Sequence, residues 1–122
     1  MTEILQMLDQ AKTSHVKWRL NAERLIMGFD VEKDSAPVKP HDCQFGKWFY
    51  GEAKELLGYF ESYRMTDASH RVMHAVYEAI YDLAQQGNAQ LAKAKLIELV
   101  ESSQTLIDAI GMLEQDAATI SD

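Results

Sequence analysis

The chain reads as an all-α protein, an antiparallel four-helix bundle with an additional short helix in its middle. Three observations predict this. Apolar residues recur at alternating steps of four and three along three long stretches, which is the seam of a bundle helix. Both prolines, Pro37 and Pro40, fall in one segment, and most glycines lie outside the periodic stretches. With 122 residues, 47% of them hydrophobic and 25% charged, the chain can bury roughly two-thirds of its unfolded surface in one core but not in two, so residues 1–122 are expected to form one domain.

In the first stretch Ile4, Leu8, Ala11, His15, Trp18, Ala22 and Leu25 share one face, with Thr2 as the expected cap and Gly28 as the stop. Residues 28–42 (GFDVEKDSAPVKPHD) carry both prolines, mixed charge and no period, and are expected to be the one long connection. Cys43 to Tyr50 (CQFGKWFY) is dense in aromatics and predicts a short helix, capped by Asp42 and ending near Gly51. A second short helix is expected over Glu52 to Leu57. The next long helix is predicted from Asp67 to Gln86, capped by Thr66 or Asp67, with His70, Met73, His74, Tyr77, Ile80, Tyr81 and Ala84 on one face. Gly87 and Asn88 close it. The last helix, Ala89 to Ala117, has the cleanest stripe: Ala92, Leu96, Leu99, Ser103, Leu106, Ile110, Leu113 and Ala117. Beside it lie Ile97, Val100 and Ile107, which form either a partner face or the edge of a broad core stripe.

Twelve Lys plus Arg against nineteen Asp plus Glu give a net charge of -7, and no basic cluster appears. Nucleic acid and anionic membrane are therefore poor partners. The single cysteine, Cys43, excludes an internal disulfide and suits a reducing compartment. No apolar run approaches the length of a membrane span, and the first ten residues lack the pattern of a secretory signal. A cytoplasmic location is expected.

Four residues do not fit a plain bundle. His15 occupies a seam position before Trp18, where its plainest role is that of a hydrogen-bonded core histidine. His70 and His74 stand at i and i+4 on a core face, close enough to reach one ion. Cys43 supplies a soft fourth donor, and its place at the start of a short helix is expected to favour the thiolate, although a free Cys is more commonly a small buried hydrophobe. Three imidazoles and one thiolate make a closed tetrahedral set that suits Zn(II) better than Mg, Ca or a di-iron centre. His41, two residues before Cys43, is an alternative to His15, though its loop position after Pro40 points to solvent.

The order His15 with Trp18, then Cys43-Gln44-Phe45-Gly46-Lys47-Trp48, then His70-Arg71-Val72-Met73-His74, resembles the chemoreceptor zinc-binding domain family in both motif and spacing. The resemblance implies a bacterial cytoplasmic sensory domain with one zinc per chain on His15, Cys43, His70 and His74. It also implies a role in chemotaxis or related signal transduction, with cellular zinc or hypochlorous acid as stimulus and a tendency to form homodimers. Family members sit beside a chemoreceptor or a diguanylate cyclase. The sequence shows neither, so output is expected to pass through such a partner in trans or through a remainder of the protein. Independently of the family, Gly46 is expected to admit a neighbouring helix, while Phe45, Trp48, Phe49 and Trp18 wall the metal from water.

Catalysis is not expected. His70 is followed by Arg71 rather than the Glu of a hydrolytic zinc helix, the donor set leaves no open position, and neither a phosphate loop nor a nucleophile elbow is present. Two functions remain: a zinc- or oxidant-responsive switch, and a structural, zinc-stapled interaction module.

Overall fold

The structure, a computed structural model, describes residues 2–29, 31 and 38–120. Among these residues there are five helices and no strand: α1 (Thr2–Ile26), α2 (Gln44–Phe49), α3 (Glu52–Leu57), α4 (Glu61–Gln85) and α5 (Ala89–Ala117). The protein is an all-α helical bundle. Residues 30 and 32–37 of the long connection, and the side chain of the expected cap Thr2, fall outside the described residues.

Two cross-links set the topology. Lys12 Nζ on α1 pairs with Glu114 on α5 at 2.6 Å, and Ser62 Oγ at the start of α4 donates to Asp116 near the end of α5. With His15 against His70 and Trp18 against Tyr77, α1 and α4 run in the same direction, and α5 runs against both. Between α1 and α4 the chain must return along the bundle. It does so through α2 and α3: Asp42 and Cys43 lie beside Ser14 to Asn21, whereas Trp48 and Glu52 lie beside Glu3 to Gln10. The fourth, descending element of the bundle is this pair of six-residue helices in series.

α1 and α4 end where their glycines say they should. Gly28 (φ +92°) and Gly87 (φ +75°) adopt the left-handed conformation that L side chains avoid. At each the chain forms a Schellman turn: Phe29 N–H to Arg24 O with Gly28 N–H to Leu25 O, and Asn88 N–H to Leu83 O with Gly87 N–H to Ala84 O. The second turn is short enough to lay α5 directly back on α4. Asn88 Oδ1 then accepts from Leu91 N–H and caps α5.

The predicted seams are buried except at Ile4, Tyr81, Ala84 and Leu96, which are half-buried. Leu8, Ala11, His15, Trp18, Ala22 and Leu25 of α1, Met73, Tyr77 and Ile80 of α4, and Leu99, Leu106, Ile110 and Leu113 of α5 meet in one core to which Phe45, Phe49, Ala53 and Leu57 add the fourth side. Two starts differ from the sequence reading. α4 begins at Glu61, not Asp67, with Phe60 at the cap. Ser62, Tyr63 and Thr66 are buried by tertiary packing, and Thr66 Oγ1 donates back to Ser62 O at 2.7 Å within the helix. Polar residues that read as caps are here interior positions, because Ser and Thr can bond to the preceding turn as well as start one. The cap of α2 is Cys43 rather than Asp42: its Sγ accepts from Gly46 N–H at 3.2 Å.

Tyr63 fixes α2 onto α4. Its hydroxyl donates to Phe49 O at 2.6 Å, satisfying a carbonyl at the C-terminal end of α2, and its ring stacks on Phe49 with centroids 4.1 Å apart. On α5 the residues beside the seam divide. Ile97 and Val100 are exposed, and Ile107 is half-buried. No helix among the described residues is long and apolar enough to cross a membrane.

Candidate metal centre

His15 sits in the middle of α1, and its Nδ1–H donates to Ala11 O, one turn back, at 2.8 Å. A carbonyl can only accept, so the ring proton lies on Nδ1 and Nε2 carries the lone pair. That Nε2 is buried and has no hydrogen-bond partner. A buried acceptor without a donor is costly unless something else fills the role.

α4 contributes His70 and His74 on the same face, with ring centroids 4.5 Å apart. Their rings lie 5.1 and 6.1 Å from that of His15. His74 Nδ1–H donates to Val38 O at 3.0 Å, which again places the lone pair on Nε2. His70 Nε2 faces Cys43 Sγ at 3.4 Å, and its Nδ1 faces the Tyr50 hydroxyl at 3.2 Å.

The fourth group arrives from a strap, residues 38–42, that runs over the cluster into α2. Val38 O holds His74, Pro40 O lies 3.4 Å from Cys43 Sγ, and Lys39 pairs with Glu78 of α4 at 2.7 Å. Gly46 is what lets the strap lie so close. A Cβ at this position would sit 1.8 Å from Pro40 O. The neighbour that demands a glycine is therefore the strap's own backbone, not another helix as the sequence suggested.

All four predicted donors, His15, Cys43, His70 and His74, are buried, and one donor atom from each lies within 4.8 Å of every other. Two donors on a tetrahedral zinc stand roughly 3.3–3.9 Å apart, given bonds near 2.0–2.3 Å. The Cys43 to His70 distance is already in that range. The donor chemistry and the orphaned Nε2 of His15 fit a zinc ion. His41 lies outside the cluster: it is exposed and stacks on Tyr50, with centroids 4.1 Å apart.

The electrostatics suit a bound cation. Burial lowers the His15 imidazole to about 4, and burial together with the neighbouring imidazoles lowers His70 to about 2, so both stay neutral, the form a metal needs. Burial also pushes the Cys43 thiol up, against the N–H groups of Gly46 and Phe45 that pull it down. The expected lowering by a helix start is present but loses to desolvation in a helix of six residues. A cation in the cluster would favour the thiolate against this desolvation.

Aromatic rings enclose the donors. Phe45 meets His15 and His70 edge-on at 5.4 and 5.1 Å, Trp18 lies 4.8 Å from His74, and Phe49 lies 6.4 Å from His70. Trp48 stands further out against Phe45. On one side the wall opens into a pocket of about 740 Å³ between α1 and the start of α2, reached past Lys17, Asn21, Asp42 and Lys47. Cys43 and His15 line its floor.

Sequence reasoning missed the groups that hold the donors: Ala11 O, Val38 O, and above all Tyr50 and Asp67. Backbone carbonyls leave no trace in side-chain patterns. Asp67 does, since it stands one turn before His70 and four residues before Arg71, its ion-pair partner at 2.8 Å.

Residues 15–81, more than half of the chain, match the family model of the chemoreceptor zinc-binding domain. Searches of curated proteins and of solved structures gave no match. The matched span begins at His15 and takes in Cys43, His70 and His74, the four donors that the fold brings together around a metal-sized space. This chain is a zinc-binding domain that belongs to the chemoreceptor zinc-binding domain family.

Proposed function

We propose that the centre binds one zinc per chain on His15, Cys43, His70 and His74 and acts as a zinc- or oxidant-responsive switch in a bacterial, cytoplasmic signalling protein. One observation carries this reading: the strap 38–42 is held at two points by would-be ligands, at Val38 through His74 and at Pro40 beside Cys43. Zinc, when bound, supplies the positive charge that keeps Cys43 ionised. His15 and His74 offer Nε2 because their Nδ1 protons are committed to carbonyls. Cys43 is the one donor that a two-electron oxidant can remove. With hypochlorous acid the thiolate yields the sulfenic acid and chloride, and a sulfenic acid is a poor zinc donor. The pocket between α1 and α2 gives small molecules a route to Cys43.

Losing the Cys43 anchor frees α2 and the strap, while α1, α4 and α5 keep their apolar core. The changed surface is read by a partner, a chemoreceptor or a diguanylate cyclase acting in trans, with a homodimer as the working unit. A closed set of four donors supports binding rather than catalysis.

The test is metal content by plasma mass spectrometry for the wild type and Cys43→Ala, each with and without a mild chelator. About one zinc per wild-type chain, lost in Cys43→Ala or on chelation while helicity persists, is the expected result. Zinc that resists the chelator favours the structural, zinc-stapled module, and absence of metal from the wild type overturns the assignment. If an oxidant modifies Cys43 without releasing zinc, the redox arm of the proposal fails.

A further inference from the structure

The three imidazoles are not held alike. His15 and His74 give their Nδ1 protons to backbone carbonyls, Ala11 O and Val38 O. His70 is held by a side chain. Its Nδ1 lies 3.2 Å from the Tyr50 hydroxyl, which in turn lies 2.8 Å from Asp67 Oδ1. Arg71 Nε donates to the same carboxylate oxygen at 2.8 Å, and its guanidinium lies 5.0 Å from the centre of the Tyr50 ring. His41 stacks on the Tyr50 ring.

The direction of these hydrogen bonds follows from elementary bookkeeping. A tyrosine hydroxyl has one proton, and an ionised carboxylate can only accept. Tyr50 therefore donates to Asp67, its lone pairs face His70, and Nδ1 of His70 must carry the ring proton. Nε2, facing Cys43 Sγ, is left with the lone pair. Without the carboxylate the hydroxyl is free to turn and donate to Nδ1, which moves the ring proton to Nε2 and blocks that nitrogen as a donor.

We propose that Tyr50 and Asp67 are positioning residues for the metal centre: the chain Asp67–Tyr50–His70 fixes His70 as an Nε2 donor and sets how tightly the site holds zinc. The inference rests on the ligand assignment above. It singles out one leg of the site as tunable from the surface, since Asp67 and Arg71 are partly exposed where Ala11 O and Val38 O are backbone. The carboxylate also raises the basicity of the imidazole through the intervening hydroxyl, as hydrogen-bonded partners of metal-bound histidines do.

The experiment uses the whole chain as wild type, Tyr50→Phe, Asp67→Ala and Asp67→Asn. Zinc affinity is read by competition with a chelator of known affinity, and the His70 tautomer by long-range nitrogen–proton NMR of the metal-free protein. Tyr50→Phe keeps the ring that His41 and Arg71 cover and removes only the hydroxyl. It is expected to weaken zinc binding roughly 10–100-fold, the usual range for loss of such a partner. Asp67→Ala should weaken it similarly and shift His70 towards the Nε2–H form. Asp67→Asn keeps an acceptor and should recover part of the loss, which a merely structural role for Asp67 would not predict.

Affinities within about twofold of wild type for Tyr50→Phe and Asp67→Ala, with the His70 proton still on Nδ1, overturn the proposal. If Tyr50→Phe proves poorly folded by circular dichroism, the Asp67 pair decides, because that side chain stands at the surface. Should the wild type take up no zinc, the ligand assignment fails, whereas the tautomer measurement still decides whether the relay exists.

Discussion

At the scale of single residues, space and desolvation govern the site. Gly46 is the sharpest case, because any Cβ there meets the Pro40 carbonyl. Gly46→Ala is expected to lose about 1–3 kcal/mol in urea denaturation, the usual cost of overpacking, and to weaken zinc binding by pushing the strap off Cys43. The four donors were legible as residue types at helical and motif spacing. The state of Cys43 was not, since a thiol's ionisation depends on how deeply its surroundings bury it, and burial is set by aromatic rings from α1 and α2. Nor were Tyr50 and Asp67, whose roles depend on a contact between α4 and the return segment.

At the scale of helices, glycine positions separate two opposite effects. A Cβ at Gly28, Gly87 or Gly111 meets nothing within 4 Å, so only backbone conformation and entropy remain. Gly87→Ala must hold an L residue at φ +75° and is expected to destabilise the fold by about 1–2 kcal/mol. Gly111→Ala, inside α5, is expected to stabilise it by about 0.5–1 kcal/mol. Thermal unfolding of the two variants side by side checks both signs. α5 was legible to its last residue because its seam runs unbroken between an Asn cap and Ala117. The start of α4 was misread because Ser62 and Thr66 satisfy their hydroxyls inside the bundle, against Asp116 and the preceding turn.

At the scale of the whole molecule, the metal site lies within the apolar core, and the stability of the two is linked through protons. Leu99, Leu106, Ile110 and Leu113 hold α5 in the apolar core without supplying a donor, so zinc removal is expected to leave far-ultraviolet circular dichroism largely intact. Hydrogen exchange should speed up at residues 38–49, where the strap and α2 lose their anchor. Uniform loss of protection along the chain would point instead to a structural staple. Acidification should weaken the fold with or without metal. His15 and His70 titrate lower in the folded protein than in the unfolded chain, whose value is near 6.5. The unfolded state then binds more protons below that pH, so the contribution of these groups is complete above about 6.5 and declines as pH falls, towards about 4 for His15 and about 2 for His70. Zinc affinity should fall over the same window, since protons compete for the same nitrogens. A melting temperature that does not change between pH 8 and pH 5 would contradict this.

The amino-acid sequence by itself determined the all-α class and where the helical seams run, and it picked out the four candidate donors. Helical periodicity and the spacing of His and Cys are local properties that need no knowledge of neighbours. Only the tertiary structure decided that α2 and α3 form the bundle's descending side, that the strap lies over the cluster with Gly46 against Pro40, and which atom holds each imidazole. These depend on contacts between residues far apart in the chain, such as Val38 with His74 and Tyr50 with Asp67. Such contacts exist only once the apolar seams have packed and brought the backbone carbonyls and buried hydroxyls within reach.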